Sequence, residues 1–289
     1  MITIFYHTYG NDPCCADGFG AAYAAWLKYG DKAAYIPVNY DQGKTLADLE
    51  LLIPENTTEV HVLDFSFTPR LTLWLANTYT LVWLDHHKSA IQDWQLFLAS
   101  EEPVVACDTK IILSQGESGA LLAWHYYHPD APVPKLFTHI DDRDRWVFAL
   151  PDSNAIHAGL AAIKPWSFEQ WRDLDLADIA YIGRILTGVI RRKVQSRAKQ
   201  ASPCTVMGVS GYHVNSTSDQ SELGHEVATQ FNTFALVWSY QGPTNTVQCS
   251  FRSIGDTDVS VIAKNFGGGG HRNAAGCTVP RAILLSWLC

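Results

Sequence analysis

Acids and imidazoles recur at the ends of apolar runs in the first third of this sequence. His7 closes the run 2–7, and Asp17 follows in the next connection. Asp64 ends Val62-Leu63-Asp64, and Asp85-His86-His87 follows Trp83-Leu84. Taken singly, each has an ordinary explanation: an Asp after a strand forms a turn or caps a helix. Their joint recurrence is harder to explain that way. Buried together, several carboxylates would repel and raise one another's pKa unless cations neutralised them. Mixed carboxylate and imidazole donors suit Mn²⁺ or a similar divalent ion, whereas structural zinc would want thiolates. An acid placed to bridge two ions would set up two-metal catalysis.

Two further clusters carry chemistry. In His139-Ile140-Asp141-Asp142-Arg143-Asp144-Arg145-Trp146, three acids beside two arginines fit either a solvated loop or a ligand with its supporting shell. In Gly267-Gly268-Gly269-Gly270-His271-Arg272-Asn273-Ala274-Ala275-Gly276, the glycines allow close backbone approach and can aim N–H groups at an anion. His271 and Arg272 favour phosphate there, and Arg252-Ser253 is a second candidate anion contact.

The elements that must position these groups follow from the apolar pattern. Segments 2–7, 33–38, 59–63 and 80–84 read as strands rich in Ile, Val, Tyr and Trp. Between them 19–29, 46–52 and 69–77 have helical spacing, and 119–128 adds a further helix. Such alternation predicts an α/β fold with a parallel sheet covered by helices on both faces, whose ligands gather beyond the strands' carboxyl ends. Residues 176–199 form an uninterrupted helical pattern with a basic end, and Pro203 breaks the chain beyond it. A smaller α/β unit is expected after that, with strands at 205–209, 234–240 and 246–252 and helices at 221–231 and 258–266.

Composition bounds the function. A hydrophobic fraction of 47% and 10 Trp support real cores. A net charge of −8 argues against a duplex nucleic-acid binder but leaves room for one positive groove. No basic segment precedes an apolar core at the N-terminus, and no apolar run approaches the ~20 residues of a membrane span, so a cytoplasmic protein without membrane contact is expected. Seven scattered cysteines without a C-x-x-C pair are expected to be reduced.

Asp85-His86-His87 is the triplet for which the DHH phosphoesterases are named, and Gly268–Gly276 resembles the Gly-Gly-Gly-His-x-x-Ala-Ala-Gly element of their associated DHHA1-type C-terminal domain. The order of motifs also resembles that family over nearly the whole chain. The resemblance implies a catalytic metal-binding domain at 1–175, a linker helix at 176–200 and a substrate-binding domain at 201–289. It implies two Mn²⁺ ions, with Mg²⁺ as the alternative, held by His7, Asp17, Asp64, His86 and either Asp142 or Asp144, with Asp64 shared. His87 would contact the scissile phosphate, supported by Asp85. Arg252, Ser253, Gly268, Gly269, Gly270 and His271 would hold the substrate's other end. In the first motif Cys15-Ala16-Asp17-Gly18 stands where many members carry Asp-x-Asp-Gly, and Asp12 is a candidate replacement for the missing acid.

The expected activity is hydrolysis of short oligonucleotides or small nucleotide phosphoesters, the oligoribonuclease-like end of the family. A single-strand exonuclease is the alternative within the enzyme class, and a non-catalytic nucleotide-binding protein the alternative outside it. A homodimer stays open.

Overall fold

The computed structural model describes residues 1–9, 15–40, 42–101 and 107–288; Asp12 and Cys14 lie outside the described residues. The chain divides into two compact units, Met1–Thr187 and Gly188–Cys289. In the first, strands β1 (Ile2–His7), β2 (Ala33–Val38), β3 (Glu59–Leu63), β4 (Thr80–Asp85) and β5 (Thr109–Leu113) form a parallel sheet in the order β2-β1-β3-β4-β5. Helices α1 (Ala16–Tyr29), α2 (Leu46–Leu52), α3 (Pro69–Thr78), α4 (Lys88–Glu101) and α5 (Gly119–Tyr127) accompany the strands. Helices α6 (Lys135–Asp144), α7 (Ser153–Ala162), α8 (Phe168–Arg172) and α9 (Leu176–Ala198) follow.

Alternation along the strands builds a core on each face. Ile4, Tyr6, Leu63, Val82 and Leu84 pack with Phe19, Ala21, Ala22 and Ala25 of α1 and with Ala120 and Ala123 of α5. Phe5, Val60, Val62 and Trp83 point the other way, into Leu49, Leu71, Leu75 and Trp94. Each large apolar side chain buried this way contributes about 1.5–3 kcal/mol. The small residues of α1 let it lie close to the sheet.

The strand order positions the site. β1, β3 and β4 are consecutive in the sheet, so the residues at their carboxyl ends lie side by side at strand spacing, about 4.8 Å. β1 is also where the chain first turns to one side, to β2, and later to the other, to β3. Ligands of open α/β sheets gather at such a reversal.

The second unit carries a six-stranded sheet, made of β6 (Ser202–Val206), β7 (Val209–Asn215), β8 (Phe234–Gln241), β9 (Thr246–Ser253), β10 (Gly269–His271) and β11 (Ala274–Pro280), in the order β10-β11-β9-β8-β7-β6. Only β7 and β8 pair in parallel. Helix α10 (Gln220–Phe231) and the last turns of α9 cover one face through Val194, Ala198, Leu223 and Val227. Beside the other face lie α11 (Val259–Asn265) and α12 (Arg281–Trp287), through Val259, Ile262, Leu284 and Trp287.

One sequence expectation is corrected here, and one left open between two readings is decided. The strand expected at 205–209 is the middle of a hairpin: Met207 and Gly208 take φ of 52° and 80°, and β6 and β7 run out from that turn. The acid cluster around 139–146 is no loop, because α6 runs to Asp144.

Candidate metal centre

Beyond the carboxyl ends of β1, β3 and β4 the structure brings His7, Asp17, Asp64, His86 and Asp144 together, with Cys15 among them. Asp64 is the hub. Its Oδ2 lies 3.5 Å from His7 Nδ1 and 3.8 Å from Cys15 Sγ, which donates to it. Its Oδ1 lies 3.1 Å from His86 Nε2, yet accepts no hydrogen bond although it is buried. The Asp64 backbone sits in the left-handed region at φ 53°, a conformation that turns the chain sharply off β3. His86 Nε2 also lies 3.3 Å from Asp17 Oδ2 and 3.5 Å from Asp144 Oδ2.

Local structure fixes each of these side chains. Asp17 lies in the first turn of α1, where its two oxygens accept from the backbone N–H groups of Gly119 and Ala120 at 2.8 Å each. Those are orphan donors of the α5 N-terminus, which favours a carboxylate. Gly18 lets α1 begin hard against β1, since a Cβ there would fall 2.1 Å from the His7 carbonyl oxygen. Asp85 organises the triplet: its Oδ1 accepts from the backbone of His86 at 2.7 Å and of His87 at 3.2 Å, and from His87 Nδ1 at 2.7 Å. Ser66 Oγ donates to its other oxygen. His87 is thereby held with Nδ1 protonated and Nε2 directed away from Asp85.

Electrostatics record the crowding. Burial pushes Asp17 up to about 7, helped by the charges of Asp64 and Asp144 and opposed by His86. For Asp64 burial works the same way, but polar contacts with His7 and His86 and the charges of His86 and His87 overturn it and hold the carboxyl well below the usual range. Burial alone would lower His86; Asp17, Asp64 and Asp144 instead hold it well above an ordinary histidine. His87 is raised because Asp85 outweighs its burial. Three acids thus crowd one imidazole, Asp17 and Asp64 buried and Asp144 partly exposed, a balance that bound cations would improve.

The donor chemistry fits divalent ions. Two groups, each with ligand atoms within 4.8 Å of one another, share Asp64: His7–Cys15–Asp64 and Asp17–Asp64–His86. A third, Asp64–Asp85–His87, places His87 beside them. The unsatisfied Asp64 Oδ1 is an oxygen that a cation would complete.

Asp142 and Asp144, alternatives in the sequence, separate in the structure. Asp142 is turned away from the centre: its carboxylate accepts from Ala149 N at 2.7 Å, Leu150 N at 3.2 Å and Ser153 Oγ at 2.5 Å. It ties the 147–153 turn to α6, and Asp144 is the acid that reaches His86. The sequence treated Cys15 as a lost acid. The structure makes it the N-cap of α1 and a neighbour of His7 and Asp64. Tyr40 went unnoticed in the sequence; its ring lies 5.4 Å from that of His7.

In the second unit the glycine run is half strand. Gly269–His271 pairs with Ala274–Gly276, and a Cβ at Gly268 would fall 2.0 Å from the Gly276 carbonyl oxygen. Glycine is needed there for close chain packing, so the run is a tight hairpin and not an open loop. Arg252 pairs with Ala274 across the sheet, and its guanidinium donates to Ser221 Oγ at 2.6 Å and Ser250 Oγ at 3.1 Å. Ser253 is buried, and its Oγ donates to the Thr257 carbonyl at 2.7 Å, which ties the end of β9 to the turn that follows.

A parallel α/β sheet with acids and imidazoles at its central strand ends is thus followed by a mixed-sheet unit with a glycine hairpin. Residues 213–285 match the family model of the DHHA1 domain. The C-terminal part of the chain therefore carries a DHHA1 domain. An uncharacterized protein, R106, of Acanthamoeba polyphaga mimivirus is 30% identical over 94% of this chain, which spans 66% of that relative's length. Among solved structures, the pGpG-specific phosphodiesterase PggH of Vibrio cholerae has a TM-score of 0.50 at 11% identity, over 98% of this chain and 94% of that one. RecJ of Thermus thermophilus in complex with Mn²⁺ also has a TM-score of 0.50, at 14% identity over 99% of this chain and 50% of that one. At these identities the likeness is one of fold. Among the described residues no helix is long and apolar enough to cross a membrane.

Proposed function

We propose that this protein is a metal-dependent phosphodiesterase acting on short oligonucleotides or small nucleotide diesters. The observation that carries the reading is Asp64, held between His7 on one oxygen and His86 on the other, with a buried oxygen that accepts no hydrogen bond. His7, Asp64, Asp17, His86 and Asp144 would hold two divalent ions, Asp64 shared between them. Such ions supply Lewis acidity toward phosphoryl oxygens and lower the pKa of water. The chain's own groups do the rest. His87, oriented by Asp85 through Nδ1 and raised in pKa by that contact, presents its Nε2 edge to a phosphate oxygen. The α5 N-terminus holds Asp17 in place against the repulsion of its neighbours. Within the DHHA1 domain, Arg252 and His271 are the proposed anion contacts. A Mn²⁺-bound RecJ and a pGpG phosphodiesterase of the same fold support both the metal and the substrate class.

Purified protein incubated with a dinucleotide, a five-nucleotide RNA, a cyclic dinucleotide, 3′-phosphoadenosine 5′-phosphate and a long single-stranded DNA tests the reading. Cleavage of a short member that needs a divalent ion and stops in EDTA is expected. No cleavage of any member by metal-loaded protein would leave a nucleotide-binding protein of the same fold. Preference for the long strand would make it an exonuclease.

A further inference from the structure

The two donor groups that share Asp64 differ in softness. Asp17–Asp64–His86, with Asp144 nearby, offers carboxylate oxygens and one imidazole. His7–Cys15–Asp64 offers one imidazole nitrogen, one sulfur and one oxygen. We propose that Cys15 is a metal ligand and makes the His7–Cys15–Asp64 position selective for a thiolate-accepting ion, of which Zn²⁺ is the type, leaving the harder position to Mn²⁺ or Mg²⁺. The inference rests on the same centre as the proposed function but concerns which ion it binds.

Placement supports it. All three side chains are buried, and the Cys15 thiol points at the Asp64 oxygen that also faces His7. The close start of α1 against β1 at Gly18 brings Cys15 beside His7. Helix capping does not account for the residue type. Cys15 Sγ accepts from Gly18 N at 3.5 Å, a weak bond that Ser, Asp or Asn would make better. Nor does apolar filling, because the thiol sits among carboxylates. A nitrogen, a sulfur and an oxygen from the protein with one position left for solvent or substrate is the pattern of open zinc sites. Carboxylate and water suit Mn²⁺ and Mg²⁺, while thiolate draws the later metals. A coordinated thiol is deprotonated outright, so binding releases a proton.

Cobalt(II) reports thiolate ligation by its sulfur-to-metal charge-transfer absorption, and its binding can be followed without any turnover. Chelator-stripped full-length protein is titrated with Co²⁺, and Mn²⁺ is then added in excess. The charge-transfer band is expected to rise with the first equivalent, with loss of alkylation at Cys15, and to survive about a hundredfold excess of Mn²⁺. In Cys15→Ser the band disappears while cooperative melting remains. In Cys15→Asp the Co²⁺ over Mn²⁺ preference falls at least tenfold. Bound Co²⁺ without the band, a band that persists in Cys15→Ser, or displacement of Co²⁺ by equimolar Mn²⁺ would each overturn the assignment. These outcomes are read from binding, so they stand apart from whether any member of the substrate panel is cleaved.

Discussion

Gly119 leaves room for Asp64: a Cβ on Gly119 would lie 2.4 Å from the Asp64 Cβ and 2.7 Å from its carboxyl carbon. The same glycine donates its N–H to Asp17 at 2.8 Å, so one residue sets the positions of two acids of the centre. Overpacking a well-fitted site costs about 1–3 kcal/mol, and here the atom displaced is the hub itself. Gly119→Ala is therefore expected to lower the melting temperature modestly and to weaken divalent-ion binding at least tenfold. Calorimetric titration with Mn²⁺ beside a thermal melt checks this. A variant that loses stability and keeps wild-type metal affinity would show that Asp64 tolerates displacement.

Asp142 and Asp144 are two residues apart and should fail in different ways. Asp142 is buried and receives three hydrogen bonds that close the 147–153 turn. Asp142→Asn replaces one of two acceptor oxygens by a donor that faces a backbone N–H whichever way the amide is turned, which should cost about 1–3 kcal/mol of stability. Asp144→Asn removes a charge beside His86 from a partly exposed carboxylate and should leave the melting curve nearly unchanged. On the proposed assignment it weakens metal binding and slows turnover by an order of magnitude or more. If Asp142→Asn alone abolished metal binding in a protein of normal stability, the roles would be reversed.

The parallel sheet and its acid-bearing strand ends were legible because periodicity and burial act on neighbours in sequence. His7, Asp64 and Asp85 each close an apolar run that a hydrophobicity pattern locates. What the pattern could not carry was tertiary choice. The side on which Asp142 or Asp144 points depends on how α6 ends and on the N–H groups of Ala149 and Leu150, which are contributed by a turn with no apolar period. The glycine run read as an open loop because glycine serves both anion nests and tight strand packing. The Gly276 carbonyl that decides between them is set by pairing, not by local composition. Cys15 read as an absence until His7 was found next to it.

A second polar chain crosses the sheet's interior away from the centre. His61 is fully buried, with Nδ1 2.6 Å from the Tyr127 hydroxyl and Nε2 2.7 Å from Glu59 Oε1. The hydrogen bond from His61 lowers the Glu59 pKa, against its partial burial. A group depressed in the folded state stabilises fully above its unfolded pKa, about 4.3 for Glu, and that contribution is lost as pH falls through the folded value. Melting temperature should therefore fall more steeply with acid below about pH 4.3 in the wild type than in Glu59→Gln. Parallel melts of the two proteins from neutral pH into that range test it. Identical slopes would show that the Glu59 contact carries no linked stability.

The glycine hairpin makes the last separation, between residues that build the DHHA1 domain and residues proposed to meet substrate. Gly268 N donates to the Ala263 carbonyl at 2.9 Å, anchoring the hairpin to α11. Its missing Cβ clears the Gly276 carbonyl. Because the obstacle is backbone on a paired strand, relaxation is restricted, and Gly268→Ala should cost at least the roughly 1–3 kcal/mol typical of overpacking. His271 is only half-buried at the end of β10, so His271→Ala should leave melting close to wild type. On the proposed function it raises KM more than it lowers kcat, the signature of a contact made equally in ground and transition states. Steady-state kinetics on the best member of the substrate panel, paired with melts of both variants, separates the two roles. A Gly268→Ala protein of normal stability with a raised KM would return the glycines to the binding surface.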